Sequence, residues 1–315
     1  MTKPKRGRGK APTVVSLFSG AGGLDLGFIQ AGFKVVWAND IDGDAVQTYL
    51  KNIGKHCTAG DITKVDLNSL PQSDGIIGGF PCQGFSIANT QRRVDDSRNT
   101  LYLSFVKALR VKQPKFFLAE NVRGILSLGS GKVFKHILAD FSAAGYECFY
   151  ALVNAADYGV PQNRHRVLIF GIRSDDCPPS VSWPPPATHR DKEISVAEAL
   201  ANIPDPDKPN KLTNHIYSKF KVKINGYISN RKVDPDKPSP TITARGDDKG
   251  GAMILNHPSG QRRMSCREVA TLQGFPNSFT FVGSMTSVYK QIGNAVPPKL
   301  SKAAALQIKR ILFKA

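Results

Sequence analysis

Between residues 14 and 173, short apolar runs rich in β-branched residues alternate with longer segments of helical periodicity. The strand-like runs are Val14–Phe18, Lys34–Asp40, Gly75–Phe80, Lys115–Asn121, Glu147–Asn154 and Arg166–Arg173. The segments Leu24–Gly32, Asp44–Ile53, Thr100–Lys112 and Val133–Ala144 are long enough to be crossover helices. This alternation predicts a doubly wound α/β sheet of parallel strands, with the ligand at the carboxyl ends of the strands.

The pattern changes after the predicted sheet. Asp176–His189 contains Pro178-Pro179 and Pro184-Pro185-Pro186, which interrupt regular structure and predict a linker. Lys208–Lys249 then carries ten Lys/Arg against four Asp, with many Pro, Asn and Gly, and this composition predicts a small, basic, loop-rich domain. Helical periodicity returns at Lys299–Phe313.

Charge and cysteine content limit the kinds of protein that this chain can be. The formal net charge is +18, and the basic tail before residue 12 holds only part of it, so the folded region also suits a polyanion such as nucleic acid. The sequence contains no run of 18 apolar residues, so it predicts no membrane-spanning helix. The five cysteines form no C-x-x-C pair, which argues against a disulfide framework or a structural zinc site.

A glycine-rich turn follows the first predicted strand, at Phe18-Ser19-Gly20-Ala21-Gly22-Gly23. Such a turn either lets a nucleotide-type ligand approach the backbone or is merely structural. Position 25 is Asp25 where a dinucleotide fingerprint has its third glycine, which favours an adenosyl ligand over a pyrophosphate. Asp40 and Asp61 follow in positions where carboxylates can bind ribose hydroxyls and the adenine edge.

Three further segments carry reactive side chains. Cys82 follows a strand end in Gly78-Gly79-Phe80-Pro81-Cys82, where we expect an exposed thiol whose pKa is lowered by a following helix turn. Glu120 ends the strand Lys115–Asn121 at the same edge and suits a proton donor, although an acid there can also cap a helix. Arg164 and Arg166 open what we predict to be the last parallel strand, with their side chains on alternate sides and one of them in the cleft.

The order of these segments closely resembles the DNA (cytosine-5)-methyltransferase family, as found in bacterial type II restriction-modification systems. The matching motifs are Phe18-Ser19-Gly20-Ala21-Gly22-Gly23, Pro81-Cys82-Gln83, Glu120-Asn121-Val122, Gln162-Asn163-Arg164-His165-Arg166, Arg267-Glu268-Val269-Ala270-Thr271-Leu272-Gln273-Gly274-Phe275-Pro276 and Gln291-Ile292-Gly293-Asn294-Ala295-Val296-Pro297. The resemblance covers nearly the whole chain except the tail and roughly residues 186–260.

The resemblance implies an α/β fold: a Rossmann-like, S-adenosylmethionine-dependent methyltransferase sheet with a second, smaller, loop-rich DNA-recognition domain. The implied division is a disordered tail at 1–12, a catalytic domain at 13–185 and 286–315, and a target-recognition domain at 186–285. The implied cofactor residues are Phe18, Ser19, Gly20, Gly22, Gly23, Leu24, Asp40, Ile41, Asp61, Ile62, Pro81, Leu101, Asn294 and Ala295. Asp40 replaces the family's commoner Glu, which lengthens the ribose contact without removing it.

The family's chemistry implies that Cys82 adds to C6 of a flipped cytosine, while Glu120 contacts N3 and Arg166, with Arg164 beside it, orients the base. Gln83 and Ser86 are then candidates for closing the loop on the DNA. In the recognition domain, Arg231 and Arg245 are candidates for guanine edges or, equally, for phosphates, and Lys249 is a further DNA-binding candidate.

Three rival functions fit parts of the pattern. A tRNA cytosine-5 methyltransferase would keep every motif, but the separate basic domain favours double-stranded DNA. A zinc deaminase fails because position 85 is Phe85 rather than Cys and no H-x-E precedes it. A non-catalytic DNA-binding module would not need Cys82, Glu120 and the glycine turn together. We therefore expect a cytoplasmic, nucleoid-associated monomer without a metal or membrane partner, paired in function with a restriction endonuclease.

Overall fold

The computed structural model describes residues 10–81, 100–219, 222, 232–244 and 255–313. Within these residues the strands are β1 (Thr13–Leu17), β2 (Lys34–Asp40), β3 (Cys57–Ala59), β4 (Gly75–Gly78), β5 (Phe116–Val122), β6 (Tyr146–Asn154) and β7 (His165–Arg173). The helices are α1 (Gly23–Gln30), α2 (Gly43–Asn52), α3 (Thr100–Lys112), α4 (Lys132–Ala143), α5 (Val196–Leu200), α6 (Cys266–Leu272), α7 (Met285–Asn294) and α8 (Pro298–Leu312).

The seven strands form one sheet in the order β3-β2-β1-β4-β5-β7-β6. Strands β1 to β5 are parallel, as predicted, and the short edge strand β3 was not predicted because three residues show no clear periodicity. The prediction that the last strand is parallel is wrong: β7 runs antiparallel to both β5 and β6. The connection between β6 and β7 lacks a crossover helix, and without one the chain can return only in the opposite direction.

Apolar side chains cover both faces of the sheet. On one face α1 and α8 pack together through residues such as Phe28, Leu300 and Ile308. On the other face α3 and α4 bury Phe105 and Phe141 against the strands. In sheets of this kind, ligands bind at the carboxyl ends of the strands.

The proline-rich segment predicted as a linker packs against the sheet domain. Trp183 lies over Phe170, with ring centroids 4.8 Å apart, and Tyr158 donates a hydrogen bond of 2.9 Å to the Pro185 carbonyl. Gln307 of α8 donates to the Ser182 carbonyl at 2.7 Å. The segment therefore packs on the sheet domain and is not a free linker.

A third apolar cluster contains α6 and α7 and lies against α2. Thr48 of α2 donates to Gln291 at 2.6 Å, and Asn52 exchanges hydrogen bonds with the backbone of Thr280. These contacts join the segment around residue 280 to the sheet domain, and the domain division at residue 285 stays a prediction. No helix in the described part of the chain is both long and apolar enough to cross a membrane.

Candidate active site and cofactor pocket

The carboxyl ends of β1, β2 and β3 meet through backbone hydrogen bonds. Ser19 N–H donates to the Asn39 carbonyl at 2.9 Å, and Gly20 N–H donates to Oδ2 of Asp40 at 2.7 Å. Gly60 N–H donates to the Asp40 carbonyl at 2.9 Å. The glycine turn, the β2 carboxylate and the loop that carries Asp61 therefore form one continuous edge, as the sequence predicts.

The turn after β1 has a backbone that few side chains tolerate. Phe18 has a φ of 56°, in the left-handed region that non-glycine residues rarely adopt, so this position is strained. Gly22 has a φ of 88° and ends the turn where α1 begins. A Cβ atom at Gly23 would lie 3.2 Å from Cβ of Ala295 and would overlap the Val296 carbonyl. The structure thus brings together the first and last predicted cofactor segments.

Asp40 lies in a largely buried position at the end of β2. Burial raises the pKa of its carboxyl, and hydrogen bonds from Asp42 N–H and Gly20 N–H partly oppose that rise. The Asp42 N–H donates to Oδ1 of Asp40 at 2.9 Å, and Lys290 of α7 forms an ion pair with Asp42 at 2.8 Å. Lys290 was not singled out from the sequence, since only the fold brings it next to β2.

The predicted cofactor residues divide by exposure. Ile41 is 73% exposed directly after β2, more than any other large apolar side chain among the described residues. Asp61, Pro81 and Asn294 are also accessible. Leu24 and Ile62 are instead buried in the cores on the two faces of the sheet, and Leu101 packs partly buried on α3. The side chains of Leu24 and Ile62 therefore contribute to these cores, and their part in cofactor binding stays a prediction.

Behind the glycine turn, Asp25 is completely buried. Ser16 and Tyr49 donate hydrogen bonds to its two carboxylate oxygens at 2.9 Å and 2.8 Å, and the Tyr49 hydroxyl also lies 3.0 Å from Nε2 of His56. Burial raises the pKa of Asp25 to about 6, and the two hydroxyl groups partly oppose that rise. The residue in the place of a third glycine therefore packs inward and does not face the pocket.

The predicted acid and arginine meet at the end of β5. Arg166 Nε lies 2.7 Å from Oε1 of Glu120, and both side chains are 11% exposed. A Cβ atom at Gly79 would lie 2.9 Å from Oε2 of Glu120, so the carboxylate lies against the backbone three residues before Cys82. Asn121 donates to the Phe80 carbonyl at 3.1 Å and fixes the same loop.

The roles of Gly79 and Asn121 in holding this loop were not predicted. Their only signal in the sequence is adjacency to motif residues, Gly79 in the cysteine loop and Asn121 beside Glu120. Adjacency alone does not indicate which neighbouring backbone atom a side chain contacts.

Arg164 and Arg166 have different surroundings. Arg164 is 1% exposed and donates hydrogen bonds to the backbone carbonyls of Ile242 and Gly293 at 2.7 Å and of Ala295 at 3.1 Å. The expectation that strand alternation separates the two arginines is wrong, because residues two apart share one face of a strand. They separate because Arg164 precedes β7, which begins at His165.

Several predicted residues lie outside the described residues. These are the nucleophile candidate Cys82, the loop candidates Gln83 and Ser86, and the DNA-reading candidates Arg231, Arg245 and Lys249. In the part of the chain that the structure does describe, no group of three or more His, Cys, Asp or Glu side chains is arranged to hold a metal ion.

With this geometry established, similarity to known proteins decides the family. The profile of C-5 cytosine-specific DNA methylases matches residues 12–310. The chain therefore belongs to this family. Type II methyltransferase M.NgoFVII of Neisseria gonorrhoeae is 39% identical over 91% of this chain and 84% of its own length. Type II methyltransferase M.FnuDI of Fusobacterium nucleatum is 36% identical over 95% of this chain and 94% of its own length.

Solved structures agree with that assignment. A DNA modification methyltransferase encoded within an Escherichia coli prophage has a TM-score of 0.75 and 26% identity, and the match covers 96% of this chain and 100% of the other. The protein is a DNA cytosine-5 methyltransferase of the type II restriction-modification kind.

Proposed function

We propose that this methyltransferase transfers the methyl group of S-adenosylmethionine to C5 of a cytosine within a specific double-stranded DNA sequence, through base flipping and a covalent bond between Cys82 and C6. The observation that carries the proposal is the Glu120–Arg166 ion pair at the end of β5, held against the backbone of the loop that leads to Cys82. The family assignment supports the proposed reaction, and this geometry supports the proposed roles of the residues.

The edge formed by β1, β2 and β3 fits S-adenosylmethionine. A Cβ atom built at Gly20 would meet nothing within 4 Å, so there is open space beside the turn. The exposed Ile41 offers an apolar surface for a flat ring, while Asp40 and Asp61 offer carboxylate oxygens to hydroxyl and amino groups. When bound, the cofactor supplies an electrophilic methyl group, and Ala295 and Asn294 close the pocket from the C-terminal side.

The state of the other thiols favours Cys82 as the nucleophile. Burial raises the pKa of Cys57, Cys148 and Cys266 to about 12, and burial together with the Glu147 carboxylate raises the pKa of Cys177 to about 11. Thiols with such values are almost entirely protonated near neutral pH, and only the thiolate is a good nucleophile. Cys82 is the remaining cysteine, and it follows directly on the exposed Pro81.

Addition of the Cys82 thiolate to C6 makes C5 nucleophilic, since electron density moves through the ring towards N3. In its protonated form Glu120 donates a hydrogen bond or its proton to N3, and Arg166 holds the Glu120 side chain in place by its 2.7 Å contact. After C5 has accepted the methyl group, β-elimination releases the C5 proton to solvent and Cys82 as its thiolate, and N3 returns to Glu120 any proton that it took, which restores the aromatic ring. The cysteine is thereby regenerated.

The cytosine must leave the duplex for this addition, because C6 is inaccessible within the base stack. Unstacking costs a few kcal/mol, which contacts from the protein must offset. We assign the closing contacts to Gln83 and Ser86, and the reading of the sequence to the basic domain through Arg231, Arg245 and Lys249. The net charge of +18 supports binding to the phosphate backbone.

The decisive experiment incubates the protein with labelled S-adenosylmethionine and either duplex DNA or tRNA. Label should enter DNA alone; label in tRNA would select the RNA-acting alternative. A Cys82→Ser variant should lose methyl transfer yet still bind DNA, since an alcohol does not add to C6. Duplex DNA carrying 5-fluorocytosine should form a stable adduct with the wild-type protein. Turnover by the serine variant, or no adduct on DNA that is otherwise methylated, would refute the covalent route.

The reading of the DNA sequence needs a separate test. If Arg231 binds a guanine edge, Arg231→Ala should cost about 1–3 kcal/mol at the true site and relax discrimination at one base pair. If Arg231 neutralises a phosphate, binding to all sequences should weaken alike, and the slope of log K against log salt should fall in magnitude by about one. Affinities for the true site and its single-base variants at several salt concentrations separate the two. A uniform loss would refute base reading.

The biological setting belongs to the same proposal. The named relatives are type II methyltransferases of bacteria, which supports a bacterial restriction-modification setting. We further propose that the enzyme is cytoplasmic, acts at the nucleoid as a monomer and is paired in function with a restriction endonuclease. Analytical ultracentrifugation of the purified protein tests the monomer. Challenge of the methylated host DNA with candidate endonucleases tests the pairing.

A further inference from the structure

A short segment of the predicted recognition domain forms hydrogen bonds with Pro161 and Asn163, just before β7. We call Ser239–Ala244 the recognition stem, because the next residue is the DNA-reading candidate Arg245. Ser239 N–H donates to the Pro161 carbonyl at 3.0 Å, and Asn163 N–H donates to the Ser239 carbonyl at 2.8 Å. The Thr241 hydroxyl donates to the Asn163 carbonyl at 2.7 Å.

Two buried side chains bind the backbone of Ile242, at the centre of the stem: one binds its N–H and the other its carbonyl. The Gln162 side-chain oxygen accepts a hydrogen bond of 2.9 Å from Ile242 N–H, and Arg164 donates one of 2.7 Å to the Ile242 carbonyl. Gln162 is 0% exposed and Arg164 is 1% exposed, so water does not compete for these bonds. The backbone of Ile242 is therefore held on both its N–H and its carbonyl by the segment that leads into β7.

The same two side chains reach the C-terminal cofactor segment. Arg164 donates to the Gly293 and Ala295 carbonyls, and Gln162 donates at 2.5 Å to Gln273, which in turn donates at 2.6 Å to the Ala295 carbonyl. A Cβ atom at Gly293 would overlap the Thr243 carbonyl, so the stem and the cofactor segment are in direct backbone contact. Three functional segments meet at Arg164.

Packing alone does not account for a guanidinium at this place. A buried charge is costly, and an apolar side chain of similar volume is often at least as stabilising. The acceptors of Arg164 are three backbone carbonyls, and burial lowers its pKa to about 9, which still leaves it charged at neutral pH. Unlike an apolar side chain, the planar guanidinium binds several carbonyls at once and so fixes their positions relative to one another.

We propose that Arg164 and Gln162 are positioning residues that fix the recognition stem relative to Ala295 of the cofactor pocket and Arg166 of the catalytic edge, and so set how strictly the enzyme selects its target sequence. This inference rests on the proposed function, in that the domain containing the stem reads the DNA. It assigns to Arg164 a role through backbone contacts instead of contact with the cytosine.

The test compares two variants. Arg164→Lys keeps the positive charge but loses the guanidinium and its set of hydrogen bonds. Thr241→Val removes the exposed hydroxyl that binds the Asn163 carbonyl and leaves the buried side chains unchanged. Ile137→Ala on α4 is the control, because Ile137 is fully buried in a core cluster that contains no residue of the stem. Each variant methylates a plasmid in cells, and bisulfite sequencing gives the ratio of methylation at the true site to methylation at sites that differ by one base pair. Thermal melting of each purified protein is measured in parallel.

We expect the ratio to fall at least about tenfold for Arg164→Lys and about threefold for Thr241→Val, since charged and neutral hydrogen bonds are lost respectively. Ile137→Ala should lower the melting temperature and leave the ratio unchanged. Arg164→Lys should still form the adduct with 5-fluorocytosine DNA, which a catalytic contact would not predict.

Two results would overturn the inference. The first is an unchanged methylation ratio in both Arg164→Lys and Thr241→Val. The second is a ratio that changes as much in Ile137→Ala as in those two variants. If Arg164→Lys does not fold, the ratio for Thr241→Val decides alone. Absence of methylation by the wild-type protein would instead count against the proposed function, so the two failures are distinguishable.

Discussion

Replacement of Asp25 by Asn should stabilise the protein at neutral and alkaline pH. Asp25 is completely buried between the hydroxyl groups of Ser16 and Tyr49, and burial raises its pKa to about 6. An asparagine has the same shape and carries no charge. Its amide oxygen can accept from Tyr49, and its amide group can donate to Ser16, so both neighbours keep a partner.

The magnitude follows from the two pKa values of Asp25. The ordinary value is 3.8 and the folded value about 6, a difference that corresponds to about 3 kcal/mol. Because the folded protein binds this proton more tightly than the unfolded chain, the wild-type free energy of unfolding falls as pH rises from about 4 to about 6 and stays lowered above that. The stabilisation by Asp25→Asn should therefore be near zero at pH 4 and reach about 1–3 kcal/mol at pH 8.

Urea-induced unfolding, followed by circular dichroism between pH 4 and pH 8, measures this difference directly. Tyr49→Phe is an informative companion: it removes a hydroxyl group that lowers the pKa of Asp25, so in this variant the fall in stability should still begin near pH 4 but continue to a higher pH than in the wild type. An asparagine variant that is no more stable than wild type at pH 8, or a difference independent of pH, would refute the reasoning.

Two further predictions concern the site. Asp61→Ala should weaken S-adenosylmethionine binding by about tenfold in calorimetry and leave the chosen DNA site unchanged; Asp66→Ala, which removes a similar exposed cap from the next short helix, should not weaken it. Gly79→Ala places a Cβ atom 2.9 Å from Oε2 of Glu120, so kcat should fall at least about tenfold with little change in melting temperature. Gly124→Ala, which meets nothing within 4 Å, is its control, and equal activity of the two variants would contradict the placement of Glu120.

Local sequence determined most of the elements in the sheet domain. The runs that became β1, β2, β4 and β5 show their apolar character within a few residues, and the helices between them show their own periodicity. The order of the motifs also determined the family. These inferences need only neighbours in the chain and the rule that ligands bind at the carboxyl ends of parallel strands.

Tertiary structure alone decided the direction of β7 and the partners of Arg164. β7 is antiparallel but buried along almost its whole length, as strands inside a parallel sheet are, so its continuous apolar run could not show which way it runs. Arg164 and Arg166 are two residues apart and chemically identical, yet one contacts Glu120 and the other contacts the carbonyls of Ile242, Gly293 and Ala295. Those carbonyls come from segments about 80 and 130 residues further along the chain. Every residue has a backbone carbonyl, so the sequence does not indicate which of them a side chain binds.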